Sequence, residues 1–183
     1  LNTTYVNQHI EIIEACKMGD RQAQHRLYKL YSQAMYNICI RMLGDRSLAE
    51  DALQEAFISA FRKLHTFEGR ASFGAWLKRI VINKCLSHLK KQKIEFESLE
   101  DQSVEPVYEE NHVSEPVIDP VIIHQAIKEL PEGCRVVFTL YLLEGYDHKE
   151  ISQILDISVS TAKSQYHRAK KLLRQKLASI SRD

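Results

Sequence analysis

The sequence predicts an all-α chain of two small helical domains joined by a flexible acidic linker, with a helix-turn-helix in the C-terminal domain. Three observations carry that prediction. Residues 1–93 show helical apolar stripes broken by capping signals, with no alternating strand pattern and no hairpin turn. Residues 94–120 hold nine acids, three prolines and no Lys or Arg. The stretch 147–173, DHKEISQILDISVSTAKSQYHRAKKLL, reads as two helices around a short turn, the second strongly basic.

In chain order, Asn7 to Met18 reads as a first amphipathic helix closed by Gly19. Asp20 is placed to cap a longer helix with Ala23, Leu27, Leu30, Tyr31, Ala34 and Ile38 on its apolar side, ending at Gly44. Ser47 and Glu50 have capping-box spacing and predict a helix from Leu48 to Leu64. A loop from His65 to Ala71 then leads to a fourth helix, Ser72 to about Lys91.

On the Leu48 to Leu64 helix, Ala49, Leu53, Phe57, Ala60 and Leu64 form the inner stripe. Asp51, Gln54, Glu55, Ile58 and Arg62 share the outer one. Two acids in the first half suit the helix dipole, and the same face would also serve as a docking surface for a basic partner helix. From Arg62 to Lys93 there are nine basic residues against the single acid Glu68, interleaved with Phe67, Phe73 and Trp76. Basic charge with aromatics around a loop suits single-stranded nucleic acid, and the alternative is that these rings are core.

The net charge of +1 conceals a partition. Residues 1–93 carry 15 basic and eight acidic side chains, and residues 121–183 carry ten and seven. The connector between them, 94–120, is either a solubilising tether or a segment that lies in a partner's cationic channel.

In the second domain, Asp147 and Glu150 form a capping box for a helix from His148 to Leu155. Asp156-Ile157-Ser158 makes the turn, and Ser158 caps a helix from near Val159. Ala162, Tyr166, Ala169 and Leu173 recur on one inward stripe, with Ser160, Lys163, Ser164, His167, Arg168 and Lys171 opposite. Seven Lys or Arg and no acid between Lys163 and Arg182 give that face a one-signed field suited to phosphates.

Several function classes are excluded. There is no Gly-rich phosphate loop or nucleophile motif, and Cys16, Cys39, Cys85 and Cys134 lack metal-ligand spacing. No catalytic residue, metal or cofactor is expected. No apolar run approaches the roughly 20 residues of a membrane span. The N-terminal stretch lacks a signal peptide's pattern, so no membrane insertion and a cytoplasmic location are expected.

The order of residues also resembles a known family. AEDALQEAFISAFRKLHTFEGRASFGAWLKRIVINKCLSHLKK, followed later by LPEGCRVVFTLYLLEGYDHKEISQILDISVSTAKSQYHRA, is similar to the extracytoplasmic-function branch of bacterial sigma factors, in the sigma-70 family. The resemblance implies residues 1–93 as sigma region 2, 94–120 as linker and 121–183 as region 4. It implies a non-enzymatic subunit that binds core RNA polymerase and promoter DNA, both duplex and single-stranded. Asp51, Gln54, Glu55, Phe57 and Ile58 would dock on the polymerase clamp helices. The loop Phe67, Glu68, Gly69, Arg70, Ala71 and Ser72 would capture an unstacked base of the minus-ten element. Phe73, Trp76, Arg79, Asn83 and Lys84 would hold the strand at the melting point. Ser160, Thr161, Lys163, Ser164, His167, Arg168 and Lys171 would contact the minus-thirty-five element. Gln165, His167 and Ala162 depart from common family residues, and glutamine can pair with adenine as Lys or Arg pairs with guanine. An anti-sigma factor or other recruiting protein is a further candidate partner. Two other readings stand beside this one: a free-standing helix-turn-helix regulator, and a protein that sequesters a polymerase component.

Overall fold

The computed structural model describes residues 9–91 and 120–180, and every regular element in them is helical. They fall into two compact units, one within residues 1–93 and one within 94–183. The acidic connector up to residue 119 and the expected helix start at Asn7 lie outside the described residues.

The first unit contains α1 (Ile10–Lys17), α2 (Arg21–Leu43), α3 (Arg46–Lys63), a 3-10 turn (Leu64–Thr66) and α4 (Phe73–Lys91). Asp20 caps α2 as its position predicts, its carboxylate accepting from the amides of Gln22 at 2.8 Å and Ala23 at 3.2 Å. Gly44 closes α2 in the left-handed region at φ 70°, where its amide reaches the Ile40 carbonyl at 2.9 Å.

Two local expectations are corrected. The buried face of α2 is Ala23, Leu27, Met35, Ile38, Cys39, Met42 and Leu43, whereas Leu30 and Ala34 are exposed. On the helical wheel Met35 and Met42 advance about 80° and 60° from Leu27, while Leu30 falls about 60° behind it. Since α2 packs against α1, α3 and α4 together, the neighbours select the advancing face. The cap of α3 is Asp45, not Ser47: an Asp45 oxygen accepts from the Leu48 amide at 2.9 Å, and α3 therefore starts at Arg46. Glu50 is drawn to Arg46 at 2.8 Å instead of back to a cap.

The interior of α3 is mostly small. Ala49, Ala52, Ala56 and Ala60 are at most 1% exposed, and α2 and α4 pack on either side of them. Larger residues, among them Leu27, Met42, Leu64, Leu77, Ile82 and Leu89, fill the rest of this core. Each such side chain, taken from water, is worth roughly 2 kcal/mol.

The second unit holds α5 (Pro120–Lys128), α6 (Glu132–Phe138) running into a π turn (Thr139–Leu143), α7 (His148–Leu155) and α8 (Val159–Ile180). Ala126, Ile127, Leu130, Cys134, Phe138, Ala169 and Leu173 pack as one cluster joining α5, α6 and α8. Arg135 is buried, and its guanidinium donates to the carbonyls of Lys128 and Leu130, each at 3.2 Å, where α5 ends. Burial lowers its pKa, partly offset by Glu132. In the π turn the Glu144 amide bonds the Thr139 carbonyl at 3.0 Å; the wider turn leaves Leu142 and Leu143 exposed and Tyr141 half-buried.

The capping box at α7 is present in both directions: Glu150 amide to Asp147 at 2.7 Å, and Asp147 amide to Glu150 at 2.8 Å. Asp156 ends α7 at φ 57°, ψ 48°, and Ser158 accepts from the Thr161 amide at 2.9 Å at the start of α8. All four cysteines are buried and unbridged. The Cys85 thiol is pushed far up in pKa by its hydrogen bond with Cys39 and by burial, and Cys16 is raised by burial and by Asp20.

Asp156→Gly is expected to keep the fold and stabilise the second unit by up to about 1 kcal/mol, because glycine takes left-handed backbone without a Cβ penalty. Urea denaturation followed at NMR resonances of α7 and α8 checks this; lower stability would show that the carboxylate makes a compensating interaction.

Candidate nucleic-acid interface

The outer face of α3 follows from its buried alanine side. With Ala49, Ala52, Ala56 and Ala60 turned inward, Asp51, Gln54 and Ile58 are left exposed and Glu55 half-buried. Phe57 departs from its expected docking role. It is 3% exposed, with Tyr28 at 4.7 Å and Phe61 at 5.9 Å between ring centroids. Its place on the inner stripe prevails, so it supports this face from beneath.

Glu55 reaches across to α4, where Lys84 Nζ lies 3.4 Å from its Oε2 and His88 Nε2 lies 3.4 Å from its Oε1. Burial tends to raise the Glu55 pKa, but the Lys84 hydrogen bond and the nearby His88 and Lys91 outweigh it and hold it below its ordinary value. One expected docking residue is thus paired with one expected strand-contacting residue.

The segment after α3 is held at both ends. At its start the Phe67 amide bonds the Leu64 carbonyl at 3.1 Å; at its end the Ser72 hydroxyl accepts from the Ala75 amide at 3.2 Å and caps α4. Gly69 turns the chain at φ 73°. Glu68, Gly69, Arg70 and Ala71 are exposed, with Arg70 Nε 2.6 Å from Glu68 Oε2. Beneath them Phe67, Phe73 and Trp76 form a triangle with centroids 5.4 to 5.6 Å apart, and Tyr31 extends it at 5.1 Å from Phe73. Phe67 and Phe73 are buried, so for these two rings the core reading holds; Trp76 is half-buried. Arg79 and Asn83 are exposed farther along α4.

On α8, Ser160, Lys163, His167 and Lys171 are exposed, while Thr161, Ser164 and Arg168 are half-buried. The Thr161 hydroxyl is 2.8 Å from that of Ser158, within the cap. Gln165 corrects the idea of an adenine-reading amide on this helix: it is 3% exposed, and its Oε1 accepts from Cys134 Sγ at 3.0 Å. Its position one residue before Tyr166 puts it in line with Ala162 and Ala169, and a polar residue there gave no sign of burial.

Two contributors escaped the sequence reading. Tyr141 and His148 stack at 4.3 Å with an interplanar angle of 13°, and Tyr141 lies 4.5 Å from Tyr166. This aromatic stack connects the π turn to both helices of the helix-turn-helix. Its components are spread over 26 positions of chain, from Tyr141 to Tyr166, and no local pattern links them. His148 Nδ1 is buried with no hydrogen-bond partner among the described residues. No group of three or more His, Cys, Asp or Glu suited to a metal occurs among the described residues, and no helix there is long and apolar enough to cross a membrane.

Residues 27–94 match the family model for sigma-70 region 2, and residues 121–173 match that for sigma-70 region 4. The chain is 32% identical to the ECF RNA polymerase sigma factor SigW of Bacillus subtilis over 92% of this chain and 96% of that one. It belongs to the ECF branch of the sigma-70 family. The RNA polymerase sigma-H factor of Pseudomonas aeruginosa is 28% identical, covering 96% of this chain and 97% of that one. The ECF sigma-E factor of Escherichia coli K12 is also 28% identical, covering 93% and 95%. Among solved structures, sigma factor RpoE of Bartonella quintana, in complex with anti-sigma factor NepR, shares the fold at a TM-score of 0.55 and 22% identity, covering 84% of this chain and 96% of that one. CnrH, solved with the cytosolic domain of CnrY, gives 0.52 at 19% identity, covering 94% and 98%. This ECF sigma factor is therefore a non-catalytic subunit that initiates transcription with RNA polymerase through promoter recognition.

The two histidines of the sigma factor's helix-turn-helix give it a pH dependence. Burial lowers the His148 pKa, reinforced by Lys163, His167 and Lys170 and opposed by Asp147; His167, though exposed, is lowered by partial desolvation of its ring against the helix and then by Lys170. A folded-state pKa below the ordinary 6.5 means that the unfolded chain takes up protons first as pH falls. Stability from this source is complete above 6.5 and is lost as pH drops through the lowered folded-state values. Urea unfolding of the second unit should show this acid loss, and His148→Gln should reduce it; an unaltered pH profile would contradict the assignment.

Proposed function

We propose that residues 1–93 act as region 2 and residues 121–183 as region 4, with 94–120 as the linker between them. In this reading Asp51, Gln54, Glu55 and Ile58 dock on the polymerase clamp helices, with Phe57 shaping the surface from below. Glu68, Gly69, Arg70 and Ala71 receive an unstacked minus-ten base between the fixed ends Phe67 and Ser72. Phe73 anchors the start of α4, and Trp76, Arg79, Asn83 and Lys84 line the path of the opened strand. Unpairing costs a few kcal/mol, which only a fitting pocket offsets, so the capture step is where sequence selection enters.

On α8, Ser160, Lys163, Ser164, His167, Arg168 and Lys171 face the minus-thirty-five major groove, while Thr161 fixes the cap. Base-edge hydrogen bonds supply selection, and the lysines supply salt-dependent affinity. Action on chromosomal promoters places the protein in the cytoplasm. An anti-sigma factor is a partner class suited to it, as NepR is for the Bartonella protein.

The observation that carries this reading is the exposed four-residue segment Glu68–Ala71, fixed at both ends above an aromatic triangle. A free-standing regulator has no use for such a loop. The test is transcription by core polymerase on a library of duplex promoters, with sequencing of transcript starts. Starts that depend on the added protein are expected; tight duplex binding without polymerase and without new starts would favour the regulator instead.

Two variants probe the separate faces. Asp51→Arg should abolish co-purification with core polymerase while leaving the helical content unchanged, and normal assembly would remove the α3 face from the docking surface. Lys163→Ala with Arg168→Ala should weaken duplex promoter binding and reduce the magnitude of its salt slope by about 2. An unchanged slope would take both side chains off the phosphates.

A further inference from the structure

We propose that Lys17 is a positioning residue for minus-ten strand capture, holding the base-receiving loop from outside through the Phe67 carbonyl. The proposal rests on the loop assignment above and adds a residue from α1.

Lys17 is the last residue of α1, and its ammonium is committed on three sides. It donates to Glu14 Oε1 at 2.9 Å and to the Phe67 carbonyl oxygen at 3.2 Å, and lies 5.9 Å from the centre of the Phe67 ring. The side chain is 24% exposed, against 87% for Arg70 and 63% for Glu68. A lysine serving as a phosphate contact would present its charge to solvent; here it is turned onto backbone and ring, and a carboxylate holds it there. Ile13 and Cys16, buried on the same helix, fix the stem's point of departure.

The location gives the contact its consequence. Phe67 is the last buried residue before the exposed segment 68–71. Its amide is held by Leu64, its ring by Phe73 and Trp76, and its carbonyl by Lys17. The carbonyl belongs to the peptide unit that sets the direction in which Glu68 leaves. Without Lys17 that peptide plane is free to rotate, and Glu68 to Ala71 lose the geometry in which a base would be received. Loss of preorganisation lowers affinity for the captured strand without removing a contact to it.

The experiment uses holoenzyme reconstituted from the full chain and core polymerase. The probe is a labelled single-stranded oligonucleotide carrying the non-template minus-ten sequence of a promoter mapped by the transcript experiment. Lys17→Met should bind it about tenfold more weakly, the scale of one charge-assisted hydrogen bond. Lys17→Arg should recover most of the affinity, polymerase assembly should be normal, and the salt slope of Lys17→Met should parallel that of wild type.

Unchanged affinity overturns the proposal. So does a salt slope reduced in magnitude by about 1, which would make Lys17 a phosphate contact. Should Lys17→Met fail to fold, Glu14→Gln, which only releases the lysine, is expected to weaken binding about threefold, and wild-type affinity there overturns the proposal too. Glu68→Ala with Arg70→Ala separates the two levels. If this loop variant binds weakly and Lys17→Met binds normally, Lys17 alone loses its role. If both bind normally, the base-capture reading falls and the role of Lys17 with it.

Discussion

The first unit depends on how closely three helices approach through the alanines of α3. Ala49, Ala52, Ala56 and Ala60 present almost no side chain, so α2 and α4 close over that helix from both sides. The residues of α3 left in water are mixed in character, with Glu50, Asp51, Gln54 and Ile58 lying between basic ends at Arg46 and at Arg62 and Lys63. The loop that follows inherits its position from this packing. Larger residues at those alanines would push α4 outward and move the loop with it.

How much of this was legible depended on the range of the interactions. Asp20, Gly44, Asp147, Glu150 and Ser158 announce helix ends because their partners lie within four residues. The inner stripe of α3 was legible for the same reason, being a repeat along one helix. The buried side of α2 was not, because three neighbours choose it and Leu30 loses to Met35. Gln165 was missed because its partner, Cys134, is 31 residues away. The π turn has no composition of its own, and the stack of Tyr141 on His148 joins that turn to a residue beyond it.

The candidate site shows the same division. Charge and residue order marked the loop and α4 as a nucleic-acid surface, and the family's motifs named individual positions. Which of those positions are surface was a matter of packing: Phe57, Phe67 and Phe73 are interior, while their neighbours Ile58, Glu68 and Arg70 are not. Aromatic residues in a basic segment therefore served here as the rigid base of the loop. The Glu55–Lys84 pair adds a link that no linear reading supplies, since a residue proposed for polymerase docking and one proposed for the opened strand share one ion contact. A partner that took Glu55 for itself would release Lys84 toward solvent, making the second surface more positive once the first is occupied.

The thiols lead to a different kind of conclusion. Cys16, Cys39 and Cys85 lie in one unit and Cys134 in the other, all buried; the hydrogen bond with Cys39 and then burial keep Cys85 in the protonated, unreactive form, and burial does so for Cys16. Electrophiles and mild oxidants in the surroundings therefore meet a folded chain with no exposed sulfhydryl among them. Each cysteine becomes chemically accessible only when its own helices separate, so labelling of Cys134 and of the other three clocks the opening of the two units independently.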